Sequence, residues 1–228
     1  MAAPTPALRF PLLPPAILLA AAGSLALLFL LIEVRVIEYA YARIGVPHRH
    51  MMALMLLTLF GSYFNIPLWR IRSGDVTRER EVVTFGVKWL VPMTPGQATI
   101  VAVNVGGALI PVLLSFYILA VTHVTGHAAV VGGLVTVVTW WLARPVRGVG
   151  IVVPTFAAPV AAAVAAWLTA PANAPAVACV GGTVGTLVGA DLLNLGSLRD
   201  LGAPVASIGG AGTFDGIFVT GVLAALLA

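Results

Sequence analysis

The chain has 228 residues, 60% of them apolar and only 9% charged, with a formal net charge of +4 and a mean hydropathy of +1.06. Soluble domains carry roughly a quarter of charged residues, so this composition excludes one and points to a polytopic membrane protein. The single cysteine, Cys179, excludes an intramolecular disulfide.

A bilayer core of about 30 Å asks for roughly 20 apolar residues per crossing helix. Seven apolar runs approach that length: 12–34, 51–67, 101–122, 128–143, 149–169, 174–195 and 205–227. The expected fold is therefore all-α and polytopic, with about seven transmembrane helices in one domain, 1–228, and a polar cytoplasmic insertion at 68–100.

The first run continues into Glu33, Arg35 and Glu38 and is read as a retained helix rather than a cleaved leader. Tyr39 and Tyr41 follow as interfacial anchors, and His48 and His50 as solvated loop residues. The second run exits through Asn65-Ile66-Pro67 and a set of arginines. Beyond it, Glu81–Leu90 and Ala98–Val105 alternate as strands do, and PMTPGQ between them is rich in turn residues. This predicts a small β-hairpin whose second strand runs into the third helix, where Asn104, Gly106, Gly107 and Pro111 interrupt regular geometry.

His123 and His127 stand four apart, but Gly126 and a loop position argue against a helical metal site. Trp140 and Trp141 close the fourth run at an interface, and ARPVRGVGIVVP follows as an irregular connection. Arg144 in that connection either anchors the chain or folds back toward the acids described next. Pro154 and Pro159 kink the fifth run. Gly181, Gly182, Gly185 and Gly189 give the sixth run a face for tight packing, and Asp191 lies near its end. The seventh run carries Gly209, Gly210, Gly212 and Thr213 ahead of Asp215.

If seven spans alternate, Arg9, Arg70, Arg72, Arg78, Arg80, Lys88, Arg144, Arg147 and Arg199 share one side, and Arg35, Arg43 and Arg49 the other. That asymmetry orients the N-terminus to the cytoplasm and the C-terminus outward in a cell (inner) membrane, with anionic lipids met by the arginine-bearing loops. Nucleic acid is a poor partner for charge distributed in this way.

Asn65-Ile66-x-x-Trp69-Arg70 matches Asn194-Leu195-x-x-Leu198-Arg199, and Val105-Gly106-Gly107-Ala108 matches Ile208-Gly209-Gly210-Ala211 in the same order. This predicts a parallel internal repeat, helices 1–3 against helices 5–7, in which only the second copy bears the acid pair Asp191 and Asp215. A carboxylate at the centre of a bilayer costs about 2.5–3.5 kcal/mol on insertion scales, so Asp191 and Asp215 need a reason to be there. Three readings stay open. An acid pair sharing one proton activates water, with Asn194, Gly209, Gly210, Gly212, Thr213 and Arg144 in support. An acid with Asn194, Ser207 and Thr213 carries a proton or cation. Or each acid caps a helix break. No cofactor motif is present, because no glycine-rich stretch follows a soluble strand or carries a P-loop lysine.

Through ARPVRGVGI, GTLVGADLL and PVASIGGAGTFDGIF, the chain resembles a prokaryotic family of small membrane proteins defined only as a domain of unknown function. The Asp-bearing hairpin more loosely resembles the Gly-x-Gly-Asp intramembrane proteases of the presenilin, signal-peptide-peptidase and prepilin-peptidase types. That resemblance implies catalytic roles for Asp191 and Asp215 and a membrane-embedded peptide as substrate. Here Thr213 and Phe214 separate Gly212 from the acid, and no Pro-Ala-Leu segment follows.

Overall fold

A computed structural model describes residues 15–71, 80–84, 87–91, 99–146, 150–200, 205–210 and 216–228. The chain divides into two compact units, 1–37 and 38–228. The first unit holds the apolar beginning of α1 (Pro15–Arg43).

The second unit starts with the last turns of α1 and continues through α2 (His48–Gly61), β1 (Asn65–Ile71), β2 (Arg80–Thr84), β3 (Val87–Val91) and β4 (Thr99–Asn104). A π-turn, Val105–Leu109, leads into α3 (Ile110–Thr122), followed by α4 (Thr125–Leu142), β5 (Arg144–Val146), β6 (Gly150–Val152) and α5 (Ala157–Thr169). Then come α6 (Ala174–Thr186), a second π-turn (Leu187–Asp191), a 3-10 run (Leu192–Asp200), β7 (Val205–Ile208) and α7 (Gly216–Leu227).

The protein is mostly helical, but it is not all-α. Three helical stretches among the described residues are long and apolar enough to cross a membrane: Val105–Thr122, Thr125–Leu142 and Pro171–Ser197. Of the other apolar runs, 12–34 continues from Pro15 within the single helix α1, and three are divided. Run 51–67 is helix and then strand, whereas 149–169 and 205–227 are strand and then helix. The physical reason lies in their sequences: Val205-Ala-Ser-Ile208 and Gly150-Ile-Val152 carry β-branched residues that suit an extended backbone, and Gly209-Gly210 or Pro154 separates them from the helix. Hydropathy alone reads each composite as one continuous span.

Glu81–Leu90 does not pair with the strand after PMTPGQ as expected; it divides into β2 and β3, which pair with each other. Residues 80–84 and 87–91 form their own two-stranded sheet, β2 against β3, with Glu81 opposite Leu90. Strand β4 pairs antiparallel with β1, Asn65 opposite Asn104, and parallel with β7, Val103 opposite Ile208. The three-stranded order is thus β1-β4-β7. PMTPGQ, residues 92–97, lies outside the described residues.

Small side chains let α4, α5, α6 and α7 pack closely. Val131, Val135, Ala158, Ala162, Ala166, Val177, Ala178 and Ala224 form one buried cluster. Gly209, ahead of α7, meets Asp191 at the far end of α6, and Gly221 within α7 lies against Thr183 and Cys179, so these two helices run antiparallel. Outward faces are apolar as well: Phe116, Val130, Val137, Trp141, Trp167 and Leu168 are exposed, which suits contact with acyl chains rather than water. At the end of α1, the Arg43 guanidinium donates to the Ala225 and Leu226 carbonyls, satisfying groups that the end of α7 leaves without helical partners.

Candidate functional site at the end of α6

Asp191 is the last residue of the π-turn that widens the end of α6. Its carboxylate is half-buried, and Oδ2 accepts the Gly209 N–H at 2.9 Å. Gly209 and Gly210 follow β7 with φ of 83° and 77°, the left-handed region where a side chain is strained. A Cβ on Gly209 would also lie 2.6 Å from Ala108 Cβ and 2.7 Å from the Ala108 nitrogen. The bend therefore presses against the π-turn that opens α3, and only glycine fits there. Asn194 sits one turn past Asp191 and donates through Nδ2 to the Gly189 and Ala190 carbonyls at 2.9 and 3.1 Å. Those carbonyls belong to the irregular end of α6, so Asn194 holds the break open without a charge.

A second polar knot supports the sheet from below. Asn104 is fully buried; its Oδ1 accepts the Gly107 N–H at 2.6 Å, and Nδ2 donates to the Ser62 carbonyl at 2.7 Å and to Asn65 Oδ1 at 3.2 Å. The same Asn65 oxygen accepts from the Ser207 hydroxyl. One amide thus ties the end of α2, strand β1 and the first turn of α3 together, with β7 joined through Asn65. The sequence marks Asn104 as an interruption and Ser207 as a neutral oxygen, but of their joint dependence on Asn65 its only sign is two asparagines beside apolar runs.

Strand β5, which begins at the exposed Arg144, lies beside the 3-10 run that follows Asp191. Ile151 on β6 packs against the cluster of Val101, Ala108, Ala206 and Ile208, as do Leu187 and Leu195, so β6 lies beside the break in α6. Of the expected site residues, the structure brings Asp191, Asn194 and Gly209-Gly210 into one neighbourhood. Gly212, Thr213 and Asp215 lie outside the described residues. Among the described residues, no three His, Cys, Asp or Glu side chains converge as metal ligands.

The model of a family described as a protein of unknown function, DUF1614, matches residues 59–227, which include every element from the end of α2 to α7. The chain belongs to the DUF1614 family. No curated protein and no solved structure matches it. The DUF1614 match covers the segments that carried the family resemblance, whereas the likeness to Gly-x-Gly-Asp proteases finds no support in these comparisons.

Proposed function

We propose that this DUF1614 protein is an intramembrane hydrolase of the aspartyl type, with Asp191 and Asp215 as its acid pair and a membrane-embedded peptide as substrate. The hydrogen bond from Gly209 to Asp191 carries this reading, because it fastens the start of the Gly209–Asp215 stretch to the first acid. Helices α6 and α7 are antiparallel, and Asp215 is the residue before Gly216, where α7 begins. Two carboxylates at one depth share a proton. The ionised one takes a proton from water as that water attacks the amide carbonyl, while its protonated partner gives a proton to the carbonyl oxygen. Proton return to the leaving nitrogen completes cleavage. In this reading Asn194, Gly209, Gly210, Gly212, Thr213 and Arg144 are the supporting residues. The enzyme is assigned to the inner membrane with its N-terminus in the cytoplasm and its arginine-bearing loops against anionic lipid.

A second reading, proton- or cation-coupled transport, is favoured by one observation. Strands β4 and β7 lie side by side and parallel, and each leads into a glycine pair and then a helix. This suits a parallel duplication with broken segments in corresponding positions, as in many transporters.

The test reconstitutes the protein and its Asp191→Asn and Asp215→Asn variants, assaying membrane-peptide cleavage and ion flux in parallel. Cleavage abolished by either substitution establishes the hydrolase. Absence of cleavage by the unmutated protein across varied peptides ends that reading, and flux unchanged by both substitutions ends the transport reading. If both fail, Asp191 is an anchor for the bend at Gly209 and nothing more.

A further inference from the structure

Away from Asp191, α1, α2, α3, α6 and α7 meet around a cavity of about 10 Å³ lined by Tyr41, Thr58, Pro111, Cys179, Thr183 and Gly221, among others. Tyr41 and Thr58 are 1% and 2% exposed; their buried hydroxyls are neighbours, yet neither has a hydrogen bond of good geometry to the other or to any other group. Among the helical hydroxyls, Thr58 and Thr186 stand apart in this respect, and only Thr58 lines the cavity. The hydroxyls of Ser115, Thr122, Thr136, Thr139 and Thr169 all donate to the carbonyl four residues back in their own helices. That bond is the ordinary way for a hydroxyl to be satisfied in an apolar helix. Thr58 forgoes it and lines the cavity instead.

Buried hydroxyls are rarely left unmatched, and a space of this size is on the scale of one water molecule. We propose that Tyr41 and Thr58 bind a single internal water, with the Thr183 hydroxyl as its third polar neighbour. A water both donates and accepts, so it satisfies both hydroxyls at once and joins the end of α1 to α2 and α6. Larger ligands do not fit the volume, and the site contains no charged group to hold an ion. This inference does not depend on the activity proposed for Asp191.

Radiolytic hydroxyl labelling of the full-length protein in detergent tests it, because ionised internal water oxidises the side chains touching it. The expected result is oxidation of buried Tyr41, with oxygen from pre-equilibrated heavy water (¹⁸O) retained after rapid dilution into ordinary water. Thr58→Val should abolish the Tyr41 label, and Thr58→Ser should restore it, while labelling of exposed Tyr39 stays constant in every variant. A melting temperature in detergent close to that of the unmutated protein reports that the variants fold. Tyr41 left unlabelled at doses that label Tyr39, or labelled equally with Val at position 58, would overturn the site.

Discussion

Gly209 donates its backbone N–H to the Asp191 carboxylate at 2.9 Å across eighteen residues of chain. The bond joins the break that ends α6 to the bend that precedes α7, so one acid is at once a structural anchor and the leading candidate for chemistry. Separating the two roles requires substitutions that keep the acceptor while removing the charge.

Asp191→Asn makes that separation. The amide oxygen still accepts from Gly209, so thermal stability in detergent should stay close to that of the unmutated protein, while any acid-dependent turnover disappears. Asp191→Ala removes the acceptor too and should cost about 1–3 kcal/mol, the range for a buried donor losing a charged partner. Stability that falls equally in both variants would show that the charge, rather than the hydrogen bond, holds the bend.

Gly209 and Gly210 both have positive φ, but they should differ in tolerance. Gly210→Ala meets backbone strain of about 1–2 kcal/mol. Gly209→Ala adds a collision with Ala108, 2.6 Å from the new Cβ, and should therefore be the more damaging substitution. Melting curves of the two variants, measured side by side, check the order. Equal losses would mean that the turns opening α3 and α7 are not pressed together.

Much of the helical core was legible from hydropathy, because Thr125–Leu142 and Pro171–Ser197 are each long, apolar and lightly charged. The mixed sheet was not. Val205–Ile208 is as apolar as a helix segment of equal length, and its parallel partner Ile100–Val103 lies about a hundred residues earlier, beyond any local pattern. At the site, Asp191 stood out because an acid in an apolar run is costly. Its partner did not, since a backbone N–H leaves no mark in a sequence beyond the glycine that permits the approach.

The glycines of α6 divide from those of α4 by what surrounds them. A Cβ on Gly185 would lie 2.6 Å from Val135 Cβ and 2.7 Å from the Gly132 carbonyl oxygen, whereas one on Gly133 meets nothing within 4 Å. Gly185→Ala should force α4 and α6 apart and cost about 1–3 kcal/mol, as overpacking does. Gly133→Ala should be neutral or stabilise by up to about 1 kcal/mol through helix propensity. Thermal stability in a fixed detergent measures both, and a destabilised Gly133→Ala would point to a contact on the outer face of α4.

Asn104 offers the sharpest test of the sheet. Its side chain supplies one acceptor and two donated bonds while wholly buried, so Asn104→Ala leaves the Gly107 N–H and the Ser62 carbonyl without these partners. Each buried polar group left unmatched costs about 1–3 kcal/mol, which puts the total near 2–6 kcal/mol. Asn104→Asp keeps the acceptor for Gly107 but replaces the donor with an oxygen facing Ser62 and Asn65, adding repulsion to the lost bonds. Both variants should be depleted from the folded, detergent-soluble fraction, with the aspartate at least as poor as the alanine. Asn65→Ala removes only the exposed half of the network and should be the mildest of the three. A severe Asn65→Ala beside a tolerated Asn104→Ala would reverse this hierarchy and place the organising amide on β1.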